Sequence, residues 1–164
     1  MTQEYKLKLY NNLTKRKVLF KPLKENEVRI YSCGPTVYNR VHIGNIRAVV
    51  FYDFLRRYLK YLGYSIKQVM NITDVDDKTI KGSQEQKIPL ESYTRYYTEL
   101  FFQDIAKMNV EKFEFYPKAT DHIQDMIDLI SILLDKGYAY KTQDGIYFKI
   151  KKFEKYGKLS GIDK

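Results

Sequence analysis

Only one cysteine, Cys33, occurs in the 164 residues, so no disulfide can close within the chain. The even, closely spaced cysteines of a stapled scaffold are missing too. A reducing, cytoplasmic location is the expectation. No window approaches about eighteen consecutive apolar residues, the length a membrane-spanning helix needs, and no membrane partner is expected. The opening stretch, Met1 to Lys8, is polar and charged and does not read as a secretory signal. Acidic residues are scarce at one end: residues 1–63 hold 13 Lys or Arg against 4 Asp or Glu, whereas residues 64–164 hold 16 of each sign. A localised basic region suits a polyanion such as nucleotide phosphate or an RNA backbone. From charge alone, a solvated Lys-rich surface without a partner fits equally well.

What is present argues for a packed domain. Hydrophobic residues make up 44% of the chain, and 16 Tyr with 9 Phe are too many for a segment unable to offset its ordering entropy. Asn11-Asn12 separates Leu7 and Leu9 from Val18, Leu19 and Phe20, which reads as a loose hairpin or an N-terminal strap over 1–20. Val28 to Ser32 is β-prone and runs into Cys33-Gly34-Pro35, a combination that ends a strand. His42-Ile43-Gly44-Asn45 leads into a helical pattern with apolar residues at Val49, Val50, Phe54, Leu55, Tyr58, Leu59 and Leu62, and Gly63 stands where a cap belongs. Ile66 to Met70 reads as a second strand, closing a βαβ unit.

The pattern then repeats. Tyr93, Tyr97, Leu100, Phe101, Ile105 and Met108 recur at helical spacing, and Phe113 to Phe115 is a third strand candidate. Thr120 or Asp121 can cap a helix carrying Ile123, Met126, Ile127, Ile130, Leu133 and Leu134, closed by Gly137. Successive strand–helix units predict an α/β fold, the first half of a Rossmann-like doubly wound parallel sheet, over 21–137. Residues 138–164 change style. Tyr138 to Lys141 and Ile146 to Ile150 flank a turn with Asp144-Gly145, the start of an antiparallel β insertion. The end, Lys158 to Lys164, is polar with no closing element, so a truncated chain is expected.

In open α/β sheets ligands bind beyond the carboxyl ends of the strands. Those tips, Cys33 to Asn45 and Asn71 to Asp77, hold the cysteine, one of the two His, two Gly, two Thr and three Asp. His42-Ile43-Gly44-Asn45 opens the long helix, where free backbone N–H groups and the positive dipole end favour an anion. Gly44 either lets a base or phosphate approach the main chain or relieves crowding; His42 is either a donor to phosphate or a capping residue. Cys33 alone reads as a small buried hydrophobe or as a ligand. Asp74, Asp76 and Asp77 match a hydrated Mg2+ or, more simply, the acidic start of a helix, with Asp77 beside Lys78 pairing on the surface. No Gly-x-Gly-x-x-Gly follows the first strand, which argues against dinucleotide binding.

Cys33-Gly34-Pro35-Thr36-Val37-Tyr38 followed by His42-Ile43-Gly44-Asn45 resembles the first signature of cysteinyl-tRNA synthetases. Asn71-Ile72-Thr73-Asp74-Val75-Asp76-Asp77-Lys78 is similar to their second conserved stretch and Lys118-Ala119-Thr120-Asp121-His122-Ile123 to a third. The three occur in the family's order. The resemblance implies ATP binding by Pro35, His42, Ile43, Gly44 and Asn45, catalytic roles for His42 and Asn45, and cysteine binding by Cys33, Gly34, Thr36 and Thr73. Asn45 departs from the His-Ile-Gly-His for which class I enzymes are known. Its amide keeps a donor but carries no charge, so a contact to phosphate with a weaker electrostatic contribution is expected. In the family the cysteine matching Cys33 is a Zn2+ ligand, and the metal binds the substrate thiolate in preference to a hydroxyl. Such a site needs about three protein ligands. The family's others, a Cys, a His and a Glu, belong to its later half, so no stable Zn2+ is expected on this chain alone.

The reaction implied is attack by the cysteine carboxylate on the α-phosphate of ATP, supplied with Mg2+, followed by transfer to tRNA(Cys) by a monomeric enzyme. The family's lysine-containing signature is absent, so the 164 residues alone are expected to be inactive. Two rivals stand beside this reading: a cysteine ligase acting on an amino sugar, as in mycothiol synthesis, and a non-catalytic nucleotide- or RNA-binding fragment.

Overall fold

In a computed structural model the structure describes residues 6–162. Residues 1–5 of the expected strap, together with Asp163 and Lys164, lie outside it. The chain divides into two compact units, one spanning Pro22–His122 and the other joining the residues up to Lys21 with those from Ile123 onward.

In the second of these units, β1 (Lys8–Asn11) and β2 (Arg16–Leu19) pair antiparallel. The Asn11 carboxamide oxygen accepts from the Leu13 N–H at 2.8 Å, and Lys15 takes a positive φ of 55°, which closes the turn.

The unit Pro22–His122 is built on two parallel strands. β3 (Glu27–Ser32) feeds α1 (Ile43–Tyr61), and the chain returns through Gly63, at φ +90°, into β4 (Ser65–Met70). β3 and β4 pair in parallel from Glu27↔Ser65 to Ser32↔Met70. Alternation sends Val28, Ser32, Ile66, Gln68 and Met70 to one buried face. α2 (Asp77–Gln86) and α3 (Leu90–Lys107) follow, and α3 buries Tyr93, Thr94, Thr98, Phe101 and Ile105. Val37, Val49, Met70, Ile72, Phe101, Ile105 and Phe113 make one apolar core.

The expected third strand takes a different form. Its partner bonds continue the sheet: the Phe115 N–H donates to the Gln68 carbonyl, Met70 to Phe115, Ile72 to Pro117 and Ala119 to Ile72. Pro117 has no N–H to offer Met70, so the ladder is cut into two isolated parallel bridges, Val69↔Phe115 and Ile72↔Lys118.

The buried face of α1 also differs from its apolar pattern. Val49, Asp53, Arg56 and Leu59 are buried, while Val50 and Phe54 are exposed. Asp53 and Arg56 turn inward because the segment after α3 supplies their partners. Arg56 clasps both Glu114 oxygens, at 2.9 and 2.5 Å, and reaches Glu111 at 2.9 Å. Asp53 accepts from the Glu111 N–H and from Arg57. Glu114 further accepts from the Gln68 N–H at 2.6 Å, tying this charge cluster to β4.

After a short 3-10 turn at Thr120–His122, the other unit resumes with α4 (Ile123–Asp135), none of whose side chains is buried. Gly137, at φ +68°, ends it: the Gly137 and Tyr138 N–H groups return to Leu134 and Leu133. β5 (Ala139–Lys141) and β6 (Ile146–Phe148) pair antiparallel. Asp144-Gly145 sits in their connection as expected, with Thr142 binding both residues across the turn. Among the described residues no helix is long and apolar enough to cross a membrane.

The charge cluster makes stability depend on pH. Hydrogen bonds from Arg56 hold the Glu114 carboxyl at about 2 instead of 4.5. A carboxyl lowered on folding adds stability above its unfolded value, and that stability is lost as pH falls from 4.5 toward about 2. Arg56→Met, which strands Glu114 while Glu111 keeps Lys60, is expected to cost about 3 kcal/mol at neutral pH. The deficit should shrink across that acid window in urea unfolding; equal stability of the two proteins at neutral pH would deny the cluster any net effect.

Candidate functional site at the strand tips

Beyond the ends of β3 and β4, a polar cavity of about 320 Å³ opens. Gly34, Pro35 and Thr36 line it from the tip of β3, and Tyr38, Arg40 and His42 from the loop that follows. Asn45 contributes from α1 and Lys78 from α2. A larger hollow of about 530 Å³ lies at the C-terminal end of α3, walled mainly by Phe102, Ile105, Val110 and Tyr116. The smaller cavity is where polar groups converge, which is the feature of a ligand site that volume alone does not report.

One side chain and a short backbone pairing hold the tips together. The Asn71 carboxamide oxygen accepts from the Gly34 N–H at 2.9 Å and from the Tyr31 hydroxyl at 3.0 Å, while its NH₂ donates to Thr73 Oγ1 at 3.0 Å. Thr36 and Thr73 then pair in parallel, with the Thr73 N–H donating to Pro35 and the Val37 N–H to Thr73. Gly34 sits against this crossing. A Cβ there would overlap the Asn71 carbonyl and lie 2.9 Å from Met70 Cγ.

His42 is the N-cap of α1, as one of the two sequence readings had it. Its Nδ1 accepts from the Gly44 N–H at 3.0 Å, and the Asn45 carboxamide oxygen accepts from the His42 N–H at 3.2 Å. The two side chains form a reciprocal capping box. An accepting Nδ1 leaves the proton of the neutral ring on Nε2, so the ring keeps a donor for a ligand. Asn45 likewise spends its oxygen on the cap and retains its NH₂. The first turn of α1 contains no acidic residue, which leaves its dipole end uncompensated. Gly44 gives the His42 ring room, since a Cβ at that position would lie 2.9 Å from Cε1.

Cys33 is exposed, contrary to the reading of a buried hydrophobe, because the open sheet face carries it outward beside exposed Tyr31. Its thiol comes within 3.8 Å of the Gly34 carbonyl, and neither Cys33 nor Thr73 lines the cavity. Ile43 and Gly44 begin α1 beside it, outside its lining. Among the described residues no three His, Cys, Asp or Glu side chains assemble a metal centre. The residues present therefore do not fit a complete Zn2+ site, which needs about three ligands.

The three acids of the second tip have separate tasks. Asp76 caps α2 and Asp77 opens it, as an acidic helix start requires. Asp74 is buried and accepts from both the N–H and the hydroxyl of Thr120. Thr120 thus leans on Asp74 at the turn before α4. Sequence reasoning treated Lys78 as a surface partner of Asp77, yet it lines the cavity. The Asp76-x-x-Thr79 cap spacing was the available signal, since it puts Lys78 in the first turn of a helix rooted at a strand tip.

With a polar cavity at the ends of parallel strands and a bare helix N-terminus facing it, comparison with solved structures points to one class. Residues equal to 73% of this chain superpose on 16% of LeuRS from Agrobacterium radiobacter K84, solved in a ternary complex with tRNA and LeuAMS, with a TM-score of 0.62 and 16% identity. A putative arginyl-tRNA synthetase from Campylobacter jejuni matches 80% of this chain and 39% of its own, with a TM-score of 0.59 and 13% identity. The chain therefore shares the fold of the matched parts of these two synthetases. More narrowly, residues 19–164 match the family model described as tRNA synthetases class I (C) catalytic domain, and the chain belongs to that family. Cysteine–tRNA ligase of Brachyspira hyodysenteriae is 53% identical over 155 residues, 94% of this chain and 33% of that protein. Cysteine–tRNA ligase of Methanococcus maripaludis is 48% identical over 157 residues, with 96% and 33% covered. The chain spans about a third of the length of these relatives.

Because Gly34 faces main chain and Met70, no side chain can be accommodated there by a rotamer change. Gly34→Ala is expected to lower stability by about 3 kcal/mol in urea unfolding, by prising the strand tips apart. A loss below about 0.5 kcal/mol would show that the tips are not held this closely.

Proposed function

We propose that the chain is the part of a cysteine–tRNA ligase that receives ATP and the amino acid. The whole enzyme joins the cysteine carboxylate to the α-phosphate of Mg2+-bound ATP, releasing pyrophosphate, and then passes the cysteinyl group to the 3′ end of tRNA(Cys). The observation that carries this reading is the His42–Asn45 capping box at the cavity, which leaves Nε2–H, an amide NH₂ and a helix N-terminus available to phosphate. Such catalysis works by positioning and by stabilising phosphate charge, with no covalent enzyme intermediate.

In this reading Pro35 and His42 to Asn45 bind ATP, and His42 and Asn45 stabilise the phosphate in the reaction. Gly34, Thr36 and Thr73 face the amino acid. Cys33 is one Zn2+ ligand whose partners come from the rest of the enzyme; its exposure leaves the thiol accessible to them. Residues 21–137 form the first half of a doubly wound catalytic sheet, supported by the parallel β3–β4 pair and the two bridges beyond it. Residues 1–20 are a strap, and 138–164 begin an insertion. The basic excess of residues 1–63 suits tRNA and nucleotide alike.

A fusion of this chain to the remaining two thirds of the Brachyspira hyodysenteriae relative provides the test. Cysteine-dependent ATP–pyrophosphate exchange and charging of tRNA(Cys) are expected. A folded fusion that does neither sinks the reading, and acylation of an amino sugar in place of tRNA would transfer it to the rival ligase. His42→Asn keeps a good N-cap and should leave stability within about 0.5 kcal/mol, yet slow exchange about a hundredfold. Lost stability with unchanged exchange would leave His42 a cap and nothing more. For Cys33→Ser in the fusion, metal analysis should find Zn2+ lost and the fold kept; retained Zn2+ removes Cys33 from the metal site.

A further inference from the structure

The cavity's formal positive charge comes from residues outside the capping box. His42 is held with Nδ1 accepting, and Asn45 can never be charged, so the N-terminus of α1 offers donors and a partial dipole charge only. A nucleoside triphosphate carries several negative charges. Two cations line the same cavity, Arg40 and Lys78. Arg40 has an acidic neighbour in Asp104, at 3.9 Å. The ion pairs formed among the described residues of α2 join Lys81 to Glu85 and leave Lys78 out.

The position of Lys78 is set by a helix cap and an aromatic neighbour. Asp76 caps α2 and accepts from the Lys78 N–H at 2.7 Å, which roots residue 78 in the first turn. Its Nζ lies 5.1 Å from the centroid of the Tyr38 ring. Tyr38 is anchored in turn: the Tyr93 hydroxyl donates to its carbonyl at 2.5 Å. Tyr93 is only 4% exposed, and burial, with Tyr97 beside it, raises its phenol above the ordinary value of 10. Gly82 makes the space, since a Cβ there would lie 2.6 Å from Tyr93 Cζ. Thus α2 and α3 together hold an aromatic platform and an ammonium group at the edge of the cavity.

We propose that Lys78 contacts the β- and γ-phosphates of ATP in this cavity, supplying the full charge that the Asn-containing helix start lacks. The inference rests on the reading of the cavity as an ATP site. A charge-assisted contact of this kind is worth about tenfold in affinity.

Isothermal titration of the 164-residue chain with MgATP, inorganic pyrophosphate and adenosine tests it. Lys78 is exposed, so Lys78→Met is expected to fold. It should weaken MgATP and pyrophosphate about tenfold and leave adenosine unchanged, while Lys78→Arg retains most of the affinity. Equal MgATP binding by wild type and Lys78→Met overturns the assignment of Lys78 and leaves the ATP site standing. Parallel loss of adenosine and MgATP overturns it as well, since Lys78 would then act only through Tyr38. If the wild-type chain binds none of the phosphates, the ATP reading of the cavity falls and this assignment with it.

Discussion

The Asn71 amide holds the ends of two parallel strands together where their ladder would otherwise stop. One oxygen receives two donors from the β3 side, and one NH₂ orients Thr73 on its own strand. The pairing of Thr36 with Thr73 continues the sheet past both strand ends and sets where the loop to α1 begins. A loop departing from a fixed point can place His42 as a cap reproducibly, and the cavity is the space this loop leaves beside α2. Gly34 is required by the same crossing, because backbone occupies the position a side chain would take.

The other end of α1 is secured by charge. Arg56, only 4% exposed, is shared by Glu111 and Glu114, and Glu114 also receives the β4 backbone at Gln68. One helix is thereby joined, through Glu114, to the segment after α3 and to β4. The cost of burying a guanidinium is offset by two carboxylates, Glu114 in bidentate geometry and Glu111 through Nε. At its opposite end the N-terminal turn of α1 contains no acidic residue, so an anion is favoured there.

At the helix start, structure and chemistry draw on the same atoms. His42 and Asn45 each use an acceptor to close the cap and keep a donor for a ligand. The two alternatives posed by His42, cap or phosphate donor, therefore do not compete. Asn at the fourth position suits the cap, since its short carboxamide reaches back to the His42 N–H. The positive charge such a position lacks has a neighbour able to supply it in Lys78, brought from a separate helix.

Local pattern determined the elements. Short β-prone runs marked β3 and β4, the apolar spacing marked α1, α3 and α4, Gly63 and Gly137 marked helix ends, and Asp144-Gly145 marked the final hairpin, because each depends on neighbours within a few residues. The family was legible for a similar reason: its motifs are contiguous stretches at strand tips. What spacing could not reveal were contacts made across dozens of residues. Asp53 and Arg56 look like a solvent face of α1 until residues 109–114 fold against them. Phe113 to Phe115 looks like a strand until Pro117 meets Met70 without an N–H to give. Lys78 looks like a surface charge until the cap at Asp76 and the Tyr93–Tyr38 bond bring it to the cavity. The sequence by itself determined most of the elements, their order and the family, since these are local or contiguous properties. Tertiary structure alone decided which charges are buried and which face the cavity, because a charge takes its environment from residues distant along the chain.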